Sequence, residues 1–460
     1  MYEPAAAASV GMGVSFNMQR ISRGRFDVIA GYARKPQVTL LARELDWFEL
    51  PSPHLLGAVV IDTDGEFSGI VFAPDMSERF RWVSQTSFWP TRAQAESELE
   101  QCIAAIARDY ERVRAQGDEP PPMSFFAPTA PEARLHPTFS ALANGPIHSA
   151  AKRVIEYMMR WYRDQDGNFV EQFQTAGFDA RLWELYLFAT LIEAGYTIKQ
   201  PNPAPDLKAI GVAGSFCVEA TTINPSQDGS TTPKPTSESS ENEIAAYLQH
   251  YLPIRFAGPL TTKLSKRYWE HPEAAGLPLA FAIQDFHDEL SMTYSGTALS
   301  VYLYGKVVDV SSGSVETPVV SVIAEHRWGT KVVDSGFFSF PGAENVSAVL
   351  FNSAGTLSKF NRIGVATGFG SPEVTLVHKG YRYGGEPPAR ERFATEVGVG
   401  YSERWIHGMN VFHNPEAKHR FDPELLPGAA HHFWLGDRFE SWIPDSHLES
   451  SQTLIVRLVS

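Results

Sequence analysis

The sequence predicts an α/β chain, α+β overall: a smaller antiparallel sheet-and-helix domain followed by a larger mixed sheet flanked by helices. Three observations carry this. Short alternating apolar runs crowd the N-terminal part. The middle alternates helix-period stretches with strands, among them PLAFAIQDF, a continuous apolar run of the kind buried on both faces of a sheet. The C-terminal part is rich in strand-like runs, and 460 residues exceed what one core usually holds.

Composition narrows the function classes. Hydrophobic residues at 43% and charged residues at 20% are globular values, so general disorder is excluded. A net charge of −14, from 39 basic and 53 acidic residues, argues against coating nucleic acid by bulk positive charge and leaves room for a local basic groove. Cys102 and Cys217 are too few and too far apart for a disulfide framework or a cysteine zinc site, which points to a reducing compartment. The start, MYEPAAAASVGMG, lacks the basic and apolar regions of a signal peptide, and no segment approaches about eighteen uninterrupted apolar residues. A cytoplasmic protein with no membrane partner is expected.

In order, residues 1–24 are small and polar and read as a frayed terminus. A small domain is expected over 25–115. Its strands are RFDVIAGY, QVTLLARELDWFEL, LLGAVVIDTDGEFSGIVFAPD and RFRWVSQTSF, with Asp64-Gly65 as a hairpin turn, and its helix is announced by Thr91. Residues 116–145, dense in proline, read as an extended linker. The larger domain then occupies 146–460, with a strand-rich C-terminal extension.

Within it, IHSAAKRVIEYMMRWYRDQ is amphipathic, with Ile155, Met158, Met159 and Tyr162 on one face. The next helix runs from an N-cap at Asp179 to Gly195 and has almost no polar face, so it is buried on most sides. After a Ser/Thr-rich segment, 224–242, come a helix around Glu243 to Leu252 and a second, basic one in TTKLSKRYWE. Further strands are expected at ALSVYLYG, PVVSVIAEH, VSAVLFNS, WIHGMNVFHN and TLIVRLVS.

Three acids stand out. Glu184 lies inside the apolar helix, where an unpaired carboxylate is costly; it needs Arg181, another donor or a metal. Asp206 follows Pro205 at the mouth of a hairpin, Leu207 to Val212 and Ser215 to Thr222, turning at Ala213-Gly214. Alternation puts Cys217, Glu219 and Thr221 on one side of the second strand and Phe216, Val218 and Ala220 on the other. Two carboxylates from adjacent strands and a third from a helix suit a hard divalent cation.

Pro205-Asp206, the hairpin, then Glu219-Ala220-Thr221, preceded by the helix bearing Glu184, resembles the PD-(D/E)XK nuclease superfamily, the restriction-endonuclease-like fold, over about residues 146–310. The resemblance implies a metal-dependent nuclease that hydrolyses phosphodiester bonds. Mg²⁺ or Mn²⁺ would be held by Asp206, Glu219 and the carbonyl of Ala220, with Glu184 completing the site. It implies a nucleic-acid partner, DNA ahead of RNA, leaves homo-oligomerisation open, and by analogy of fold fits prokaryotic defence or DNA processing. One position departs from the pattern: Thr221 stands where the family has its lysine. Lys263 and Lys266, on one face of TTKLSKRYWE, are the replacements expected, with Lys208 a third. The alternative is a catalytically degenerate version of the fold that binds nucleic acid or protein.

Other signals are discounted. His407, His413, His419, His431, His432 and His447 lack regular ligand spacing and read as surface or capping residues rather than a zinc site. ATGFGSPE lacks the lysine of a phosphate loop and reads as a turn. Trp47, Phe48, Trp82, Phe88 and Trp89 offer either a base-stacking surface or, more simply, core.

Overall fold

Alternation of apolar and polar residues along the N-terminal runs builds an antiparallel meander. The computed structural model describes residues 17–457 apart from 122, 165–166, 226–234, 237, 289, 310–318, 385–388 and 399. It divides into two units, Met1–Phe26 with Thr39–Met123, and Asp27–Val38 with Ser124–Ser460.

In the first unit, β1 (Gln19–Ile21), β2 (Ala42–Leu50), β3 (Leu55–Asp62), β4 (Phe67–Pro74) and β5 (Phe80–Gln85) form one sheet in chain order. Gly65 takes φ 84° in the β3–β4 turn, as the Asp-Gly pair requires. Helix α2 (Arg92–Arg108), followed by the short α3 (Tyr110–Arg114), lies on β3 and β4 at Gly57 and Gly69, where any Cβ would come within 2.9 Å of the Ile103 and Leu99 side chains. Phe48 joins this core, whereas Trp82 and Phe88 are exposed.

Two expectations are corrected here. RFDVIAGY is not a strand: it enters α1 (Arg23–Ala30), started by the Ser22 hydroxyl, which accepts from the Arg25 N–H at 3.1 Å. The expected fraying of 1–24 lies outside the described residues up to 16; beyond them β1 pairs with β2.

The second unit begins within the stretch expected to be a linker. Phe125, Ala130, Phe139 and Leu142 are buried there, and 116–145 includes α4 (Pro137–Asn144). The fully buried Gln174 amide donates to the carbonyls of Phe125 and Ala127 at 3.1 and 2.9 Å, so apolar side chains and satisfied backbone override the proline signal. Next come α5 (Ser149–Met159), α6 (Phe169–Gln174) and α7 (Phe178–Glu193). Asp179 lies in the first turn of α7 rather than at its cap, which is Gly177.

The large sheet is mixed and eight-stranded. It opens with β6 (Thr197–Lys199), β7 (Leu207–Gly211), β8 (Gly214–Ile223) and β9 (Leu279–Asp285). Between β8 and β9 the chain runs from α8 (Glu241–Ala246), boxed by Ser240 and Glu243, through a π-turn at Tyr247–Tyr251 into α9 (Leu252–Ser265). The two helices expected there are one path, the wide turn falling just before Pro253, which has no N–H to donate. Most of the Ser/Thr-rich 224–242 lies outside the described residues.

ALSVYLYG is also corrected: it forms α10 (Ser295–Tyr304), buried on so many sides that helical periodicity is lost, and stopped by Gly305 at φ 65°. PVVSVIAEH supplies strands in two hairpins, β10 (Lys306–Asp309) with β11 (Val319–Val322) and β12 (Glu325–Trp328) with β13 (Lys331–Asp334). VSAVLFNS is β14 (Ala348–Asn352), followed by α11 (Leu357–Ala366). A three-stranded sheet is made by β15 (Val374–Gly384), β16 (Ala389–Glu396) and, from TLIVRLVS, β20 (Leu448–Arg457). WIHGMNVFHN gives β17 (Met409–His413), and β18 (Ala430–Leu435) with β19 (Arg438–Trp442) completes the large sheet in the order β19-β18-β17-β14-β9-β8-β7-β6.

The β8–β9 pair is parallel and central. One face carries Cys217, Leu279, Phe281 and Ile283 into a core with α9 and α10. The other presents the small Ala280 and Ala282 to α7, whose Trp183 indole donates to the Ala282 carbonyl at 3.1 Å.

Candidate functional site: an acidic cluster across β8

Asp206 sits where the chain enters β7, one residue before the first β7–β8 pair, Leu207 with Val218. Its carboxylate accepts from the Ala220 N–H at 2.7 Å, and its own N–H donates to Glu219 Oε2 at 3.1 Å. This reciprocal clasp fixes both acids against the backbone.

Strand direction then decides what faces the clasp. The Cys217 N–H bonds the Pro278 carbonyl on the β9 side, whereas the Ala220 N–H points to Asp206 on the β7 side. A strand residue sends its N–H and C=O out along the same edge, so the Ala220 carbonyl also leaves toward Asp206, beyond the last β7–β8 pair.

Glu219 shares the face of Cys217, toward α9. From that helix Lys263 donates to Glu219 Oε1, its ammonium 5.6 Å from the centre of the Tyr268 ring, and burial, then the nearby charge of Glu219, raises the pKa of the Tyr268 hydroxyl. Glu184 approaches on α7. Arg181 grips it with one nitrogen at 2.7 and 2.8 Å from the two oxygens, and the Tyr162 hydroxyl donates to Oε2 at 3.1 Å.

Asp206 is the member shared by the two faces. Burial, then repulsion from Glu219, pushes its carboxyl up to about 7 against the pull of Lys263, the Ala220 amide and Arg181. Burial, then repulsion from Asp206, takes Glu184 up to about 7, with Arg181 and Tyr162 opposing. Three carboxylates face two cations, so one negative charge lacks a match among the partners just named. That imbalance in a buried cluster is what a shared proton relieves, and what a bound cation would relieve in its place.

The sequence-predicted residues are thus distributed as follows. Glu184, Asp206, Glu219, Ala220 and Lys263 come together. Lys266 is exposed at the end of α9, and Lys208 pairs with Glu273 at 2.9 Å. Among the described residues no three His, Cys, Asp or Glu side chains are gathered as ligands of one metal ion. The physical reason is the sheet: Glu219 turns toward α9, Glu184 belongs to α7, and only Asp206 lies between. The donor set, two carboxylates and one carbonyl around Asp206, is all oxygen and fits a hard cation; Glu184 is a neighbour through Asp206 rather than a partner of Glu219.

Tyr162 and Tyr268 join the site without a mark in the sequence pattern, the nearest signal being the position of Tyr268 shortly after Lys263. The C-terminal histidines differ from expectation: His413, His431 and His447 are buried, His413 Nε2 and His431 Nδ1 being 2.9 Å apart, while His419 is exposed. Among the described residues no helix is long and apolar enough to cross a membrane. Comparison with known protein families, with curated proteins and with solved structures found no match.

Proposed function

We propose that the chain is a metal-dependent phosphodiesterase of the PD-(D/E)XK type, acting on nucleic acid through Glu184, Asp206, Glu219 and Lys263. The observation that carries this reading is Lys263 on Glu219: a cation from α9 stands beside the strand acid whose following lysine is replaced by Thr221. Asp206, Glu219 and the Ala220 carbonyl would hold Mg²⁺ or Mn²⁺, with Glu184 supporting Asp206. Such an ion would supply a more acidic water and electrostatic stabilisation of the phosphate charge.

The chain's own groups do the rest. Lys263 supplies positive charge next to the attacked phosphate, the role the missing lysine would have had. Arg181 and Tyr162 keep Glu184 in place, and the clasp between Asp206 and Glu219 pre-orders the two acids. A second reading is favoured by the same clasp: with the Asp206 amide on one oxygen and Lys263 on the other, Glu219 is satisfied without an ion, as in a binding protein that has lost catalysis.

The deciding experiment is incubation of the purified protein with single- and double-stranded DNA and RNA, with Mg²⁺, Mn²⁺ or chelator. Metal-dependent cutting that disappears in Asp206→Ala and Glu219→Ala supports the first reading. Tight binding without cutting supports the second.

A further inference from the structure

A groove of about 490 Å³ opens in the larger unit beside α7 and β6. Its walls combine the rings of Tyr32, Trp161 and Phe188 with the basic side chains of Lys35, Arg163 and Lys199. All three basic residues are exposed, in a chain whose net charge is −14. The other charges on the walls are already matched, Arg34 by Asp27 at 2.5 Å and Glu273 by Lys208 at 2.9 Å. The rings are layered: Phe188 is buried and stacks on half-buried Tyr32 with centroids 5.9 Å apart and planes 12° from parallel, and Trp161 is also half-buried.

This groove adjoins the acidic cluster through Tyr162. That residue lies between Trp161 and Arg163, donates to Glu184, and packs edge-on against Phe188 at 5.4 Å. Phe188 itself is one turn beyond Glu184 on α7. The Arg163 backbone is fixed by its N–H donating to the Gln200 side chain at 2.8 Å.

We infer that the groove seats a single-stranded segment of nucleic acid, leading its backbone toward the acidic cluster; the substrate class rests on the phosphodiesterase reading. Three exposed cations lining the groove can meet the phosphates of a nucleic-acid backbone. Half-exposed rings can stack only on bases that are not already stacked in a duplex, so the favoured ligand is a single strand. DNA and RNA share this chemistry.

The test is fluorescence anisotropy of labelled oligonucleotides of roughly ten nucleotides, in chelator so that no hydrolysis intervenes. Oligo-dT, oligo-rU and a duplex of equal length are compared on the full chain. The inference requires a single strand to bind more tightly than the duplex. It also requires the Lys35→Glu/Arg163→Glu/Lys199→Glu variant to weaken that binding about tenfold or more and to flatten its salt dependence. Trp161→Ala weakens binding several-fold and Trp161→Phe restores it. Preference between dT and rU identifies the sugar, either outcome satisfying the inference.

Native-like binding by the triple variant, or preference for duplex, overturns it. The two readings fail separately. If single strands bind both the native protein and Asp206→Ala through these cations but Mg²⁺ gives no cutting, the groove stands and catalysis falls. If the native protein cuts and the triple variant binds and cuts as well as native, catalysis stands and the groove falls.

Discussion

Lys263 reaches Glu219 from α9, across a face of β8 on which Thr221, the next residue along, offers no charge. If this lysine is the migrated catalytic cation, Lys263→Ala lowers turnover about 100-fold or more, the usual loss when one charge-stabilising donor is removed. Mn²⁺ binding, followed by calorimetry, persists. Lys266→Ala, altering an exposed side chain away from the cluster, leaves turnover within about twofold of native.

Asp206 and Glu184, both held up to about 7, give the cluster a pH signature. A carboxyl whose pKa is raised on folding binds its proton more tightly in the folded state. Its contribution is therefore complete below the ordinary carboxylate range and is lost as pH rises through about 7. The buried histidines, held neutral, gain stability over the same range, so the signature is read against a variant: without metal, the melting temperature of the native protein is expected to fall relative to that of Asp206→Asn between about pH 5 and about pH 8. A cation competes with those protons, so the Mn²⁺-induced rise in melting temperature grows across the same interval. Scanning calorimetry of the native protein and Asp206→Asn at several pH values checks both, and a difference between them that does not change with pH contradicts them.

Arg181 is the main counterweight to Glu184. Arg181→Met leaves a buried carboxylate with Tyr162 alone and is expected to cost about 2 kcal/mol, less than a fully buried pair because Glu184 can take up a proton. Arg181→Met/Glu184→Met recovers most of that loss. Urea denaturation of the native protein and both variants measures it.

A second buried ionic network has a structural consequence. Arg362 on α11 donates twice to Glu403, at 2.7 Å each, and also reaches the Thr453 hydroxyl on β20 at 2.6 Å, while Lys359 lies 3.7 Å from Glu403. Burial raises the Glu403 carboxyl, but Arg362 and Lys359 outweigh it and hold the group well below the usual carboxylate range. Burial lowers Lys359 to about 8. Glu403→Gln strands two buried cations and is expected to cost about 3–5 kcal/mol, read from denaturation midpoints.

Much of the architecture was legible. The Asp64-Gly65 turn, the β7–β8 hairpin around Ala213-Gly214 and the buried strand Leu279–Asp285 each rest on a local rule that the fold does not override. The misread segments, RFDVIAGY and ALSVYLYG, are apolar runs whose periodicity is masked by burial; only the Ser22 cap and the left-handed Gly305 marked them as helices. The linker reading failed because proline density says nothing of where Phe125 and Phe139 pack. At the site, the acids were visible as polar residues in apolar surroundings. Their division between two faces was not, because it depends on which helix covers which side of β8. The Lys359–Arg362–Glu403 network gave no local signal, its members lying on α11 and on a segment 41 residues further along.

The central claim is that Asp206 and Glu219 hold a catalytic cation. Its most direct measurement is the rate of cleavage of a single-stranded oligonucleotide in Mg²⁺ by the native protein, Asp206→Ala and Glu219→Ala, with chelator as control. The account predicts cleavage by the native protein alone, abolished by chelator. Cleavage that survives chelation, or that persists in either variant, contradicts it.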